Sequence, residues 1–274
     1  RRIFQEALDM IAEKADVEVW PDELPPTRDV LLKKMSDVDG LLSLLTDKVD
    51  KVLMDAAPNL KVISQIAVGY ENIDVAEATK RGIPVGYTPG VLNGTTADMA
   101  FALLMAAARR LVEGVRSVQT GNWKTWHPLH FLGQDIHGAT LGILGMGRIG
   151  LEMAKRAKGF DMPIIYHDIM RRPETEERQY SMRLENLDTV LKESDFISIH
   201  VNLVEDTYHL ISDRELGLMK PTAILINAAR GPVVDPIALY RALRDGIIGG
   251  AALDVTEPEP IPADHPLLTL KNCI

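Results

Sequence analysis

The ten residues LGILGMGRIG, at 141–150, constrain the fold more than any other stretch of this chain. Gly145, Gly147 and Gly150 have GxGxxG spacing, an apolar run precedes them, a helix-like segment follows, and a second apolar run ends at Asp168. The order strand, glycine turn, helix, strand and acid is typical of a dinucleotide-binding unit, because the glycines let the backbone approach a pyrophosphate that the helix N-terminus attracts. The alternative is a tight turn in a nucleotide-free α/β sheet, with an acid that caps a loop.

The acid at the end of the second apolar run bears on the choice of cofactor. Asp168 lies 23 residues after Gly145, where a carboxylate accepts hydrogen bonds from the adenosine ribose and repels a 2′-phosphate. Arg171 and Arg172 follow three and four residues later, and either could pair with such a phosphate. The sequence therefore favours NAD and leaves NADP open.

Short apolar runs alternate with helix-like segments along most of the chain. This alternation predicts two Rossmann-like or flavodoxin-like α/β domains with parallel sheets and a cleft between them, at 1–93 and 94–274. The predicted strands are VEVW (17–20), LLSLL (41–45), VISQIAVG (62–69), IPVGYTP (83–89), TLGILG (from 140), IIYHD (164–168), FISIHV (196–201), AILINAA (223–229) and GGAALDV (249–255).

Two segments near the predicted domain joint differ from this alternation. Residues 95–115, rich in Ala, Leu and Met, predict one long helix with Thr95 or Thr96 as its N-cap. The segment is apolar nearly all round, so we expect it to be buried between layers. Residues 121–138 predict an exposed arm. Its Trp123 and Trp126 either anchor a partner subunit or pack within the chain.

Composition narrows the class of protein. A net charge of −9, from 30 basic and 39 acidic residues, argues against nucleic-acid or anionic-membrane surfaces. One cysteine, Cys273, excludes an intrachain disulfide and favours the cytoplasm. No apolar run is long enough to span a membrane. The chain starts without Met and stops at KNCI in mid-pattern, so we expect more residues beyond both ends, including the C-terminal part of the 1–93 domain.

Charged side chains follow two of the predicted strands. Arg230 comes after AILINAA, and DVTEPEP, at 254–260, supplies Asp254, Glu257 and Glu259 after GGAAL. Ligands bind beyond the carboxyl ends of strands in open α/β sheets, and the planar guanidinium of Arg230 suits a substrate carboxylate. We interpret Glu257 as a solvated loop charge.

Several of these motifs together resemble the D-2-hydroxyacid dehydrogenase family. The likeness spans nearly the whole chain, in order and with the family's spacing. Within the family, WKTWHPLHFLG and YTPGVL are most similar to glyoxylate/hydroxypyruvate reductases. The segments that carry the resemblance are VGYENID (68–74), TTADMAFALLMAAARR (95–110), GMGRIG, HVNLVEDTYHLI (200–211), LINAARGPVVD (225–235) and GGAALDVTEPEP (249–260).

The resemblance implies NAD(P)H-dependent reduction of glyoxylate or hydroxypyruvate to the D-2-hydroxy acid by a homodimer. It implies that Arg230 and Glu259 are catalytic, that Arg230 also binds the substrate carboxylate with the backbone N–H groups of Val68 and Gly69, and that Asp254 fixes the nicotinamide carboxamide. The cofactor residues that it implies are Thr96, Gly145, Gly147, Arg148, Ile149, Gly150, Asp168, Ala228 and Asp254. No metal ligand is expected.

The histidine that Glu259 would bind in the family lies in a segment of the type PHIGSAT, just after the stretch matched by HPLLTLKNCI. The seven histidines of this chain are better interpreted as structural, although His265 is the nearest in sequence. We therefore expect little activity of these 274 residues alone. The alternatives are another family activity, on phosphoglycerate, D-lactate or phosphite, and a non-catalytic NAD(H)-sensing scaffold of the corepressor type.

Overall fold

A computed structural model describes residues 1–274, which divide into two compact units, Arg1–Val91 and Leu92–Ile274. The boundary lies two residues from the predicted domain joint. No helix in either unit combines the length and the apolar character needed to cross a bilayer.

The first unit contains a three-stranded parallel sheet in the order β1-β2-β3. Its core is formed by buried apolar residues from the sheet and from the helices that flank it, including Leu53, Ile63 and Ala78. The strands are β1 Gly40–Ser43, β2 Val62–Gln65 and β3 Val85–Gly86, and the helices are α1 Gln5–Ala12, α2 Arg28–Lys34, α3 Lys51–Asp55 and α4 Val75–Lys80.

The strand predicted at 17–20 is wrong, because this segment has no strand partner. Val17 is exposed, Glu18 forms an ion pair with Lys34, and the Trp20 indole N–H donates to the Leu24 carbonyl. The side chains of this segment therefore face solvent or local partners.

The second unit contains a six-stranded sheet in the order β6-β5-β4-β7-β8-β9, and every pairing is parallel. The chain order reverses at β4 and β7, so the gap between their carboxyl ends is where such a sheet binds ligands. The strands are β4 Leu141–Leu144, β5 Ile164–His167, β6 Met182–Leu184, β7 Phe196–Ile199, β8 Ile224–Asn227 and β9 Gly250–Leu253.

Helices cover both faces of this sheet, which explains why its strands are almost wholly apolar. Two helices, α5 and α7, lie on one face, and α9, α10 and α11 lie on the other. The predicted α/β class with parallel sheets is confirmed. The helices of this unit are α5 Asn93–Ala108, α6 Leu111–Gln119, α7 Arg148–Lys158, α8 Glu174–Tyr180, α9 Leu187–Glu193, α10 Asp213–Leu218 and α11 Pro236–Arg244.

Residues 95–115 do not form the single helix that the sequence predicts. The break between α5 and α6 contains Arg110, whose φ of 53° is left-handed. The Gln134 N–H donates to the Ala108 carbonyl at 2.9 Å, and a Cβ on Gly133 would lie 2.3 Å from the same oxygen. The loop at Gly133 and Gln134 thus occupies the space of the next helical turn, and α5 ends at Ala108 for this reason.

The start and the burial of α5 also differ from the prediction. The helix begins at Asn93 with Leu92 as its cap, and the Thr96 N–H donates to the Leu92 carbonyl, so neither predicted threonine is the N-cap. One face of α5, including Phe101 and Leu104, is buried on the sheet, whereas Met99 is 46% exposed. Within this unit the helix is therefore buried on one side only.

Candidate active site

The three glycines of the turn after β4 have different roles. Gly145 has a φ of 91°, and a Cβ there would lie 2.7 Å from the His200 backbone. A Cβ on Gly150 would lie 2.3 Å from the Gly145 carbonyl oxygen, so this position sets the close packing of α7 on the turn. Both substitutions would clash with backbone, which explains why the turn needs glycine at these places.

The middle glycine faces open space, in contrast to the other two. A Cβ on Gly147 would meet no atom within 4 Å, and this exposed residue caps α7 without any side-chain hydrogen bond. The first N–H groups of α7, at the exposed Arg148 and the half-buried Ile149, have no side-chain cap, and such groups bind anions. An open side above an uncapped helix N-terminus fits the pyrophosphate of a dinucleotide.

Asp168 braces this turn, a role that its sequence position did not reveal. Its carboxylate accepts the Met146 N–H at 2.6 Å and the Met170 N–H at 2.9 Å, which ties the end of β5 to the glycine turn. A carboxylate has about four acceptor sites, so Asp168 retains the capacity to bind a ribose hydroxyl. The structure therefore places the predicted ribose acid beside the predicted pyrophosphate turn.

His200 lies against the same turn at the end of β7. Its Nε2 lies 2.8 Å from the Ser198 hydroxyl, while its buried Nδ1 has no hydrogen-bond partner. Burial lowers the pKa of His200 to about 4, so the ring is neutral at pH 7. His200 is therefore a structural histidine in which one ring nitrogen has a hydrogen-bond partner and the other has none.

The turn after β8 is shaped by Asn227, which was not among the predicted site residues. Its side chain is buried, donates to the Arg230 carbonyl at 2.9 Å and accepts the Ala229 N–H at 3.0 Å. Its own carbonyl accepts the Asp254 N–H at 2.9 Å. The signal was available, because an asparagine at the end of the run AILIN is polar where its neighbours are apolar.

Arg230 and Ala228 are presented by this turn. The Arg230 side chain is half-buried and donates through Nη1 to the Ala229 carbonyl at 2.7 Å, while Ala228 is buried. A Cβ on Gly231 would lie 1.9 Å from the Thr256 carbonyl oxygen. The turn that presents Arg230 is therefore in direct contact with the loop that carries the acids.

The three acids of DVTEPEP occupy different environments. Asp254 and Glu259 are exposed at and beyond the end of β9. Glu257 is not a solvated loop charge, and that interpretation was wrong. Its Oε2 lies 2.7 Å from His209 Nε2, and the His209 ring stacks on Tyr208 with centroids 4.0 Å apart. Glu257 therefore binds the loop to the segment after β7.

The predicted substrate residues Val68 and Gly69 lie in the first unit, in the loop after β2. This loop is held by Gln65, a buried side chain that donates to the Gly69 carbonyl at 3.3 Å and to Asn72 Oδ1 at 2.9 Å. Ser43 donates to Gln65 Oε1 at 2.5 Å. These buried polar residues fix the loop. They were not predicted as site residues, because the run VISQIAVG has the pattern of an apolar strand.

The second unit thus gathers most of the predicted site at one edge of its sheet. The glycine turn follows β4, Asp168 follows β5, Arg230 follows β8 and Asp254 follows β9. Because all six strands are parallel, their carboxyl ends meet at the same edge. Thr96 lies apart in the sequence, half-buried near the start of α5.

The chain and its fold are similar to those of known proteins. The chain is 54% identical over 275 residues to a glyoxylate reductase of Korarchaeum cryptofilum, covering 100% of this chain and 82% of that protein. The structure is similar to that of the TT0316 protein of Thermus thermophilus, with a TM-score of 0.92, 44% identity and coverage of 98% and 84% of the two chains.

A third relative was solved with bound ligands. The D-lactate dehydrogenase of Aquifex aeolicus, complexed with NAD and lactic acid, has a TM-score of 0.85, 28% identity and coverage of 99% and 85% of the two chains. The family model described as D-isomer specific 2-hydroxyacid dehydrogenase, NAD binding domain, matches residues 101–274. This chain therefore belongs to the D-isomer specific 2-hydroxyacid dehydrogenase family.

Proposed function

We propose that this protein reduces a small 2-oxo acid, glyoxylate or hydroxypyruvate, to the D-2-hydroxy acid. The observation that carries the proposal is the placement of Arg230 at the same sheet edge as the glycine turn, on a turn packed against the acidic loop. The similarity to the glyoxylate reductase of K. cryptofilum supports the choice of substrate. The reduced nicotinamide, when bound, supplies a hydride to C2, and a proton completes the hydroxyl group.

The residues of this chain would divide the remaining work. Arg230 would bind the substrate carboxylate through its planar guanidinium and polarise the keto oxygen. The backbone N–H groups of Val68 and Gly69 would also take part in substrate binding, which would make the first unit the substrate domain. Asp254 would orient the nicotinamide carboxamide, and Glu259 would hydrogen-bond the histidine that the family uses as general acid.

A substrate panel tests the activity in the full-length protein. We expect glyoxylate and hydroxypyruvate to oxidise NADH or NADPH with the highest kcat/KM among glyoxylate, hydroxypyruvate, pyruvate and 3-phosphohydroxypyruvate. A preference for pyruvate or the phosphorylated acid, or for phosphite with oxidised cofactor, would instead identify one of the other family activities. Dinucleotide binding without turnover of any substrate would contradict the proposal and favour the sensing scaffold.

We also propose that the protein is a homodimer that joins through α6 and the arm at 121–138. Val115, Val118, Trp123 and Trp126 are 56%, 60%, 59% and 78% exposed, and such aromatic and aliphatic surface is typical of subunit interfaces. Light scattering of the full-length protein should give twice the chain mass, and Val118→Asp should give the monomer mass. A monomeric wild-type protein would contradict the proposal.

A cytoplasmic location is part of the same proposal. The chain has one cysteine, Cys273, and burial raises the pKa of its thiol to about 11, which keeps it protonated and unreactive. A protein without disulfides is suited to a reducing compartment. Fractionation of the source cells would test the location.

A further inference from the structure

The loop after Asp168 carries two arginines that the proposed function does not use. Arg171 and Arg172 lie where an arginine of this fold accommodates the 2′-phosphate of NADP. The hydrogen bond from the Met170 N–H to Asp168 Oδ1 folds the start of this loop back on Asp168. Arg171 and Arg172 follow directly after Met170. Whether they are available to a phosphate depends on what else they bind.

Arg171 is bound to the carboxylate of Glu177 by both types of guanidinium nitrogen. Its Nη2 lies 2.8 Å from Glu177 Oε2, and its Nε lies 3.1 Å and 3.2 Å from the two carboxylate oxygens. The Glu177 side chain is only 9% exposed, although that of Arg171 is 61% exposed. The arginine therefore covers a nearly buried acid.

Glu177 is itself held by a buried side chain of the sheet. The hydroxyl of Tyr166, a fully buried residue of β5, donates to Glu177 Oε1 at 2.7 Å and accepts the Arg172 N–H at 2.9 Å. The hydrogen bonds from Arg171 and Tyr166 lower the pKa of Glu177, and burial together with this carboxylate raises the pKa of Tyr166 to about 12. At neutral pH the acid is thus charged and the phenol is protonated.

These contacts decide how Arg171 responds to a phosphate. Moving the guanidinium to a ligand would leave a nearly buried carboxylate without its cation, and breaking such a pair is strongly unfavourable. Arg172 is also engaged, because its Nε lies 2.8 Å from Glu176 Oε2. Asp168 adds a negative charge on the ribose side of the loop.

We propose that Glu177 is a specificity-determining residue, which withholds Arg171 from the 2′-phosphate and thereby makes this protein prefer NADH to NADPH. The inference rests on the nicotinamide dinucleotide site described above and deepens it. Glu177 acts through Arg171 and does not touch the cofactor, so it is a positioning residue. The expected preference for NADH arises because Arg171 is already bound to Glu177, and not because the loop lacks a basic side chain.

Equilibrium binding of NADH and of NADPH, measured by nicotinamide fluorescence without any 2-oxo acid, tests this proposal in the full-length protein. Glu177→Gln keeps the shape and the bond to Tyr166 but removes the charge that holds Arg171. We expect its Kd for NADPH to fall about tenfold, while its Kd for NADH changes less than about threefold. The double variant Glu177→Gln/Arg171→Gln should return to the wild-type ratio.

Glu174→Gln is the matched control. It lies on the same helix and removes the partner of Arg178, in a pair whose side chains are 65% and 79% exposed. The charge of Glu174 acts on Arg171 only through space, so the ratio of the two dissociation constants should change less than about twofold in this variant. An unchanged ratio in folded Glu177→Gln, or a gain that persists in the double variant, would overturn the proposal.

Arg171→Gln alone gives a second test that does not depend on how Glu177→Gln folds. Because Arg171 is withheld in the wild-type protein, its loss should alter NADPH affinity less than about twofold. A tenfold weakening of NADPH binding alone would show that Arg171 already contacts the phosphate, and the proposal would fail. If neither dinucleotide bound the wild-type protein, the cofactor site itself would be wrong, whereas binding without turnover would refute only the proposed reaction.

Discussion

Arg230→Gln in the full-length protein is expected to lower kcat/KM for glyoxylate by about 10²- to 10³-fold, the loss typical of removing one donor that stabilises a developing oxyanion. Arg230 lies on the turn that the Asn227 side chain shapes, and its Nη1 donates to the Ala229 carbonyl, so the guanidinium is positioned before substrate arrives. Gln is shorter, neutral and unable to bind a carboxylate with two parallel N–H groups. Both the substrate carboxylate and the keto oxygen would lose their cation.

The kinetic pattern separates this role from a structural one. We expect kcat to fall together with kcat/KM, while the Kd for reduced dinucleotide in the absence of substrate stays near that of the wild-type protein. Arg230→Lys should recover part of the rate, because it restores charge without the planar fork.

Arg214→Gln is the control for this prediction. It removes an exposed arginine of α10 that pairs with Asp188 at 2.7 Å, and we expect nearly unchanged kinetics. Wild-type kcat/KM in Arg230→Gln would exclude Arg230 from the chemistry.

Gly231→Ala is expected to reduce both stability and activity, although it adds one methyl group. The new Cβ would lie 1.9 Å from the Thr256 carbonyl oxygen and 2.2 Å from its carbon, so two backbone segments must separate. Overpacking of this kind costs about 1–3 kcal/mol in the free energy of unfolding. Arg230, the residue proposed to bind the substrate, precedes this glycine, and a displacement of about 1 Å at such a group lowers the rate roughly a hundredfold.

Thermal unfolding and glyoxylate kinetics of Gly231→Ala should therefore both change. Gly217→Ala provides the matched control, because it lies in α10 and a Cβ there meets no atom within 4 Å. Alanine is favoured over glycine within a helix by about 0.5–1 kcal/mol, so the control should be as stable as the wild-type protein or more so. If Gly231→Ala matched the control in melting temperature and rate, the close contact between the two loops would be refuted.

The sequence predicted those features that depend on neighbours along the chain. The strands of the second sheet were visible because strands covered on both faces are apolar throughout, and the glycine turn was visible because its spacing and flanking elements occur together. The predicted residues after β4, β5, β8 and β9 lie at one edge because parallel strands leave no other arrangement.

Other features depend on residues that are distant in sequence. His209 and Glu257 are 48 positions apart, so nothing near Glu257 indicated that it was paired. The break after Ala108 follows from a loop at Gly133 and Gln134, while the helical pattern of residues 95–115 continues through the break. In both cases the local sequence favours one structure, and a contact with a residue distant in sequence produces another.

The backbone hydrogen bonds that Asp168 accepts have a consequence for attempts to redesign coenzyme use. A substitution of Asp168 that is meant to admit a phosphate would also remove the acceptor of the Met146 N–H, and the pyrophosphate turn would lose its brace. Such a variant would gain affinity because the carboxylate no longer repels the 2′-phosphate. It would lose affinity because the turn must become ordered when the coenzyme binds. An engineer of this scaffold would do better to leave Asp168 in place and to alter α8, the helix that carries Glu177.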